Sequence, residues 1–276
     1  MCEGFRALLV EPSPKSQLQA VGEPVERSTK EAVRLFTANS KLATGGAPRE
    51  TVTNWVFEDD PAAFDAVQNA MVAANAERYY RTMVRGDRQS WNIRDYHMSD
   101  TIDRIAAHHG PGSKGLVWAH NTHVGDARAT DMAQGGMDNI GQLMRLRHPG
   151  EVVLAGFASY AGSVTAAEAW GAPEQTMTVP AARQGSHEDL LNNALGEPSL
   201  LVFGSNRTGR WLTEWRGHRA IGVVYDPERE AGNYVPTRMA GRYDALLWIP
   251  HTTALRPLHH EQKPGEPEFE TEPSGF

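Results

Sequence analysis

The spacing of apolar and polar positions along this chain is helical first and strand-like afterwards. From residue 60 onward Phe64, Val67, Met71 and Ala74 recur at helical spacing, with Asp60 suited to an N-cap, Pro61 to a first turn and Gly86 to a stop. The pattern predicts a helix to about residue 85. A second helix is expected from about 91 to 108, with Met98, Ile102 and Ile105 inward and Gly110, Pro111 and Gly112 ending it, so that the two form a helical hairpin. The period then shortens. Residues 115–119, Gly-Leu-Val-Trp-Ala, read as a short buried strand, with a polar loop over 121–139 and a helix over 140–148 that Pro149 and Gly150 close. Further strands are expected at 151–157, 176–179, 199–203, 219–225 and 243–249, and a helix capped by Ser186. Strands alternating with helices predict an α/β protein, a sheet covered by helices.

Residues 12–60 carry breakers and only weak helical signals, and residues 259–276 are acidic and rich in proline. The division expected is therefore a shortened N-terminal segment over 1–60, a main domain over 61–258 and a disordered tail over 259–276. Cys2 is the single cysteine among 276 residues, which rules out an internal disulfide and suits a reducing compartment. The first twenty residues lack the basic and apolar regions of a signal peptide, and no apolar run approaches the roughly 18 residues of a membrane span. A cytoplasmic location without a membrane partner is the expectation. A net charge of −7 with both signs interspersed argues against nucleic acid, since phosphate binding needs a basic stripe.

Candidate chemistry concentrates in the His-Asn-Thr-His stretch at 120–123. In open α/β sheets, ligands sit beyond the carboxyl ends of strands, and the expected strand at 115–119 delivers His120, Asn121 and His123 to that rim. Imidazoles there serve as acid, base or oxyanion donor near neutral pH. One alternative is that one histidine caps a backbone carbonyl while the other is solvated. Another is a metal bound by His120, His123 and Asp126, although this is not the helical His-Glu-x-x-His spacing. Arg94 and Asp95 are the next candidates, because an arginine holds an anionic or carbonyl oxygen bidentately; as neighbours they also read as an exposed ion pair. His108 and His109 at a helix C-terminus read as structural. No Gly-x-Ser-x-Gly elbow, Walker loop or Gly-x-Gly-x-x-Gly is present, so serine hydrolases, NTPases and Rossmann dehydrogenases lack their signatures.

The stretches SWNIRDYHM, GLVWAHNTHVGDARATDM, NIGQL and VLAGFASYAGSVTAA closely resemble the erythromycin esterase family. The likeness continues through WGAPEQTMTVP, RAIGVVYDPE, RYDALLWI and ALRPL, covering nearly every element from about 61 to 258 in order. The resemblance implies a mixed α/β core with a helical subdomain over a deep cleft. It also implies hydrolysis of a macrolide lactone, as in characterised members, by histidine and glutamate side chains that activate water, with no metal or cofactor. The positions it carries over as catalytic are His120, His123, Arg94 and, in GFRALLVEP, Glu11. Asn121, Trp118 and Tyr160 in the matching motifs are the candidate substrate contacts. The family's Gly-Glu-x-x-His-Gly motif, with its base histidine, would lie upstream of Met1, so a shortened member with weakened activity is expected. Three readings stand: a hydrolase of a cyclic or hindered ester, an inactive small-molecule-binding remnant, and a metal-dependent hydrolase. The partner expected is a small ester, and the oligomeric state is left open.

Overall fold

The structure is a computed structural model that describes residues 61–84, 89–204, 207 and 209–256. The expectations for 1–60, Glu11 and Asp60 included, and for the tail over 259–276 fall outside the described residues. The chain divides into two compact units, 1–81 and 82–276. In the first, helix α1 (Pro61–Val84) forms where the period predicted it. Its apolar register differs from expectation: Ala66 and Tyr79 are buried, whereas Val67 and Ala74 are exposed.

After the end of α1 at Val84 the second unit continues with α2 (Gln89–His109), whose two buried residues are the polar Asp95 and Ser99, while Ile105, expected inward, is exposed. A buried carboxylate is tolerated only where hydrogen bonds replace its water, and Asp95 has such partners, as described below. Next comes α3 (Asn121–Val124), a single turn, then 3-10 turns at Ala127–Ala129 and Asp131–Ala133 and helix α4 (Ile140–Arg147). The span expected to be loop is thus largely helical turns. Gly141 on α4 lies against the Val124 carbonyl so closely that a Cβ there would overlap it. Glycine at 141 therefore lets α4 reach α3.

Three small sheets complete the unit. The first has the order β1-β7-β4, with β1 (Ala155–Ala158) parallel and β4 (Ser199–Val202) antiparallel to a central β7 (Ala245–Trp248). Trp248 in β7 faces Ala158 on one side and Ser199 on the other. The second joins β3 (Gln175–Val179), β2 (Ala161–Ala166) and β8 (His251–Thr252). The third pairs β5 (Arg216–Arg219) with β6 (Tyr234–Thr237). Helices α5 (His187–Ala194), α6 (Arg210–Thr213) and α7 (Met239–Arg242) flank them. Ser186 caps α5 as expected, its hydroxyl accepting from the Asp189 amide at 3.1 Å. The architecture is mixed α/β. The largest buried cluster holds Leu154, Leu191, Phe203, Met239, Tyr243, Leu246 and Trp248.

Two strand expectations fail. Residues 219–225 supply only the end of β5, whose pairing with β6 closes on the bond from the Ala220 amide to the Asn233 carbonyl, and one isolated bridge at Val224. Residues 115–119 form no strand. Leu116 and Trp118 are 77% and 79% exposed, and the Trp118 ring lies 5.4 Å from that of Phe157. An apolar run becomes a buried strand only where a neighbour pairs its backbone and another layer covers it, and neither is present among the described residues.

Candidate active site

The His-Asn-Thr-His turn is fixed from three directions. His120 is the N-cap of α3: its Nδ1 accepts from the Thr122 amide at 3.2 Å and lies 2.8 Å from the Thr122 hydroxyl. Its Nε2 donates to the Ile221 carbonyl at 2.8 Å. Desolvation lowers its pKa below the ordinary imidazole value, which the Ile221 carbonyl only partly counters. A neutral ring with Nε2–H satisfies all these contacts at once. Both nitrogens are then committed, and His120 has no lone pair to offer a substrate.

Asn121 turns the other way. Its Nδ2 donates to the Phe157 carbonyl at 2.7 Å and its Oδ1 accepts from the Phe157 amide at 3.1 Å, so the side chain docks on the edge of β1 as a neighbouring strand would. Arg242, fully buried, donates from Nη2 to the Asn121 carbonyl at 3.3 Å. Asn139 holds the far end of the turn. Its Nδ2 donates to the carbonyls of Thr122, at 2.8 Å, and Gly125, while its Oδ1 caps α4 by accepting from Gln142 at 3.0 Å.

His123 faces Asp95 on one edge and Arg94 on the other. Its Nδ1 lies 3.0 Å from both oxygens of Asp95. Asp95 is wholly buried, and its Oδ2 also accepts from the Ile140 amide at 3.3 Å. In the neutral ring the Nδ1 proton goes to Asp95, which leaves Nε2 as the acceptor that faces Arg94. Nη2 of Arg94 stands 3.5 Å from that Nε2. Trp91 stacks on the ring with centroids 4.7 Å apart and planes 2° from parallel, and the Arg94 guanidinium carbon sits 4.8 Å over the Trp91 ring. The side chains of His123 and Arg94 are each 18% exposed. Helix α2 is itself tied down: Trp91 donates to the Asp138 carbonyl at 2.8 Å, and Asn92 donates to the Gly136 carbonyl at 2.9 Å and accepts from the Asp138 amide at 2.9 Å. An orienting carboxylate, an imidazole whose second nitrogen keeps its lone pair and an adjacent guanidinium can activate water and hold developing negative charge.

The sequence-predicted residues therefore separate. Arg94 and His123 come together. His120 and Asn121 share their turn but spend their polar atoms on the scaffold. Tyr160 packs against the main core cluster, and its main chain donates to Pro250 and accepts from Arg219. Trp118 lies exposed beside Phe157, not beneath the site. Glu11 is outside the described residues. The metal set is not assembled: Asp126 is clamped by Arg128 at 2.7 Å and Arg145 at 3.1 Å while His123 Nδ1 faces Asp95, and the described residues contain no group of three His, Cys, Asp or Glu arranged for a metal. Asp95, read from sequence as half of an exposed pair, is the buried partner of His123, and Asn139 escaped notice because nothing local distinguishes it from any helix cap.

Among solved structures the fold resembles a Bacillus cereus protein from structural genomics, with a TM-score of 0.58 and 17% identity over 70% of this chain and 46% of that one. It also resembles a histidine mutant of the erythromycin esterase EreC in its open conformation, with a TM-score of 0.50 and 18% identity over 87% of this chain and 54% of that one. The chain thus spans about half the length of each, 46% and 54%. Among the described residues no helix is long and apolar enough to cross a membrane. The model of the erythromycin esterase family matches residues 5–252, a span that contains the turn, its Asp95 partner and every sheet, and the chain belongs to that family.

Proposed function

We propose that the protein hydrolyses a cyclic or hindered ester, with a macrolide lactone as the substrate class that the family suggests. The observation that carries this reading is the Asp95–His123 pair, whose Nε2 lies beside Arg94. His123 takes a proton from water at Nε2, and the hydroxide oxygen adds to the ester carbonyl. Arg94 holds the tetrahedral oxyanion, while Asp95 stabilises the imidazolium without itself taking the proton. The imidazolium then protonates the departing alkoxide, so ester and water become acid and alcohol. Family membership supports the reaction class, and no step rests on Glu11. The substrate is a small molecule.

The test is incubation of the purified protein with macrolide lactones and with simple aryl esters, and mass spectrometry for the ring-opened hydroxy acid, heavier than its lactone by one water, or for the free acid and phenol released from the aryl ester. Hydrolysis by the wild-type protein that falls at least a hundredfold in His123→Ala, the scale of a positioned acid-base group, is the expected result. A folded protein inert to every ester, or one whose His123→Ala variant is undiminished, would exclude the reading.

A further inference from the structure

A second carboxylate–imidazole pair meets the His-Asn-Thr-His turn at Asn121, and it is wholly buried. Glu188, near the start of α5, places Oε1 2.5 Å from Nδ1 of His218 in β5, and neither side chain has any exposed surface. The same oxygen accepts from the Arg219 amide at 2.9 Å. Burial pushes the Glu188 carboxyl up, but the His218 ring and the Arg219 amide more than offset it, and its pKa is lowered. The far nitrogen of His218, Nε2, faces Asn121 Nδ2 at 3.5 Å and the Tyr243 hydroxyl at 3.3 Å. Burial raises the Tyr243 pKa to about 12, so that hydroxyl keeps its proton.

These contacts fix the proton on the ring. The Asn121 amide is oriented by its two bonds to Phe157, which point Nδ2, a pure donor, at His218. Nε2 must then be the acceptor, and the ring proton sits on Nδ1, toward Glu188. This is the arrangement Asp95 imposes on His123, two residues further along the turn. Well-packed apolar side chains in place of a buried ionic or polar pair often leave stability unchanged or improve it, so stability alone gives a weak account of this one. What the pair supplies is direction: a chain of oriented donors from α5 through β5 to α3 and the edge of β1.

We propose that Glu188 and His218 are positioning residues for the His-Asn-Thr-His turn: Glu188 holds the His218 ring with its Nε2 lone pair toward Asn121, which keeps the Asn121 amide seated on Phe157 and the turn aligned to present His123. Neither residue touches the substrate. Close approach is built into the same junction, because Gly156 of β1 lies where any Cβ would overlap the Tyr243 ring. The functional half of the inference rests on the His123 reading above; the tautomer and the seating of Asn121 do not.

The experiment uses the full chain labelled with nitrogen-15. Two-bond proton–nitrogen correlation of the imidazoles reads each histidine tautomer, and hydrogen exchange reads the Asn121 side-chain amide. His218 in the wild type is expected as the single Nδ1–H form with a slowly exchanging Asn121 amide. In Glu188→Gln, His218 loses its single tautomer and the Asn121 amide exchanges at least tenfold faster. His123 keeps its Nδ1–H form because Asp95 is untouched. For the best ester found, kcat falls about ten- to a hundredfold with KM unchanged, the scale of a slight misalignment, while circular dichroism shows the wild-type fold. An Nε2–H or doubly protonated His218 in the wild type overturns the proposal, as does a Glu188→Gln variant with unchanged amide exchange and kcat. If Glu188→Gln does not fold, the wild-type tautomer alone decides. Absence of hydrolysis by the wild type would sink the esterase reading and leave the tautomer and exchange measurements to judge the positioning of Asn121.

Discussion

Trp91 and His123 lie face to face, ring centroids 4.7 Å apart and planes within 2°, so the imidazole is held on one face by an indole and on one edge by Asp95. Stacking fixes the plane of the ring and the carboxylate fixes its rotation within that plane. Together they aim Nε2. Replacing Trp91 by Leu removes the ring pairing, worth about 0.5–1.5 kcal/mol beyond buried area, and frees the plane. Trp91→Leu should lower kcat about tenfold or more, in line with the sensitivity of near-attack geometry, with a melting temperature only a few degrees lower. Trp91→Phe, which keeps a face for stacking, should recover most of the rate. Steady-state kinetics of the pair would check this, and equal rates for Leu and Phe would show that the stack does not orient His123.

Asp95→Asn tests the other restraint. An amide can still accept from Nδ1–H through its oxygen, but it can also present its NH2 and favour the Nε2–H tautomer, which has no lone pair at Nε2. In a Ser-His-Asp triad the same change costs about 10⁴-fold in kcat. A loss between about 10² and 10⁴ is expected here, with KM little altered. The Ile140 amide also loses part of its acceptor, which adds roughly 1–3 kcal/mol of destabilisation. Kinetics with a parallel urea titration separates the two effects. A variant of normal kcat would mean that Asp95 serves only to anchor Ile140.

What was legible in the sequence follows from which interactions are local. The helix caps and breakers around α2, α4 and α5 act within a turn, and those elements lie where their patterns place them. The His-Asn-Thr-His turn was found because three polar groups crowd four positions. Its internal division of labour was hidden, since the roles of His120 and His123 depend on Ile221 and Asp95, which lie 101 and 28 residues away in the chain. Glu188, His218 and Asn139 were invisible for the same reason. The run at 115–119 misled because periodicity reports apolar content and cannot report whether a neighbouring strand exists to pair it. β2, rich in small residues, carries too little apolar signal to be seen.

The two tryptophans on and off the sheet make that lesson measurable. Trp118 is 79% exposed, whereas Trp248 is 1% exposed at the centre of the main cluster, on the middle strand of its sheet. Trp118→Ala should change stability by no more than about 0.5 kcal/mol, as for surface positions generally. Trp248→Ala should cost about 3–5 kcal/mol through lost transfer energy and the cavity left behind. Urea denaturation of both variants provides the comparison. A destabilisation by Trp118→Ala as large as that by Trp248→Ala would show that the run at 115–119 is covered after all.

The last prediction concerns acid, and its sign follows from His187. This ring is wholly buried at the start of α5, with Nε2 3.1 Å from the Thr237 carbonyl and Nδ1 without a hydrogen-bond partner. A second proton would have to sit on Nδ1, in a site that offers it no acceptor. Desolvation is the main cause that lowers its pKa to about 4, with the Thr237 carbonyl opposing. The unfolded chain takes up a proton at the ordinary value near 6.5 while the native ring does not, so between about pH 6.5 and pH 4 the unfolded state binds more protons. Stability must therefore rise with pH across that window and fall as the solution is acidified. The gap between the two values corresponds to roughly 3 kcal/mol once pH drops below 4. His97 and His120, also lowered, steepen the slope in the same direction. The depressed carboxylates Asp103, Asp126, Glu188 and Asp244 contribute separately, because their stabilisation is lost only as pH falls below about 4.5. His187→Gln keeps a donor for Thr237 and removes the titration. Urea midpoints at pH 7, 5.5 and 4.5 should decline steeply in the wild type and clearly less in His187→Gln. Parallel declines in the two proteins would mean that His187 is protonated in the native state and that its burial does not control the acid limb.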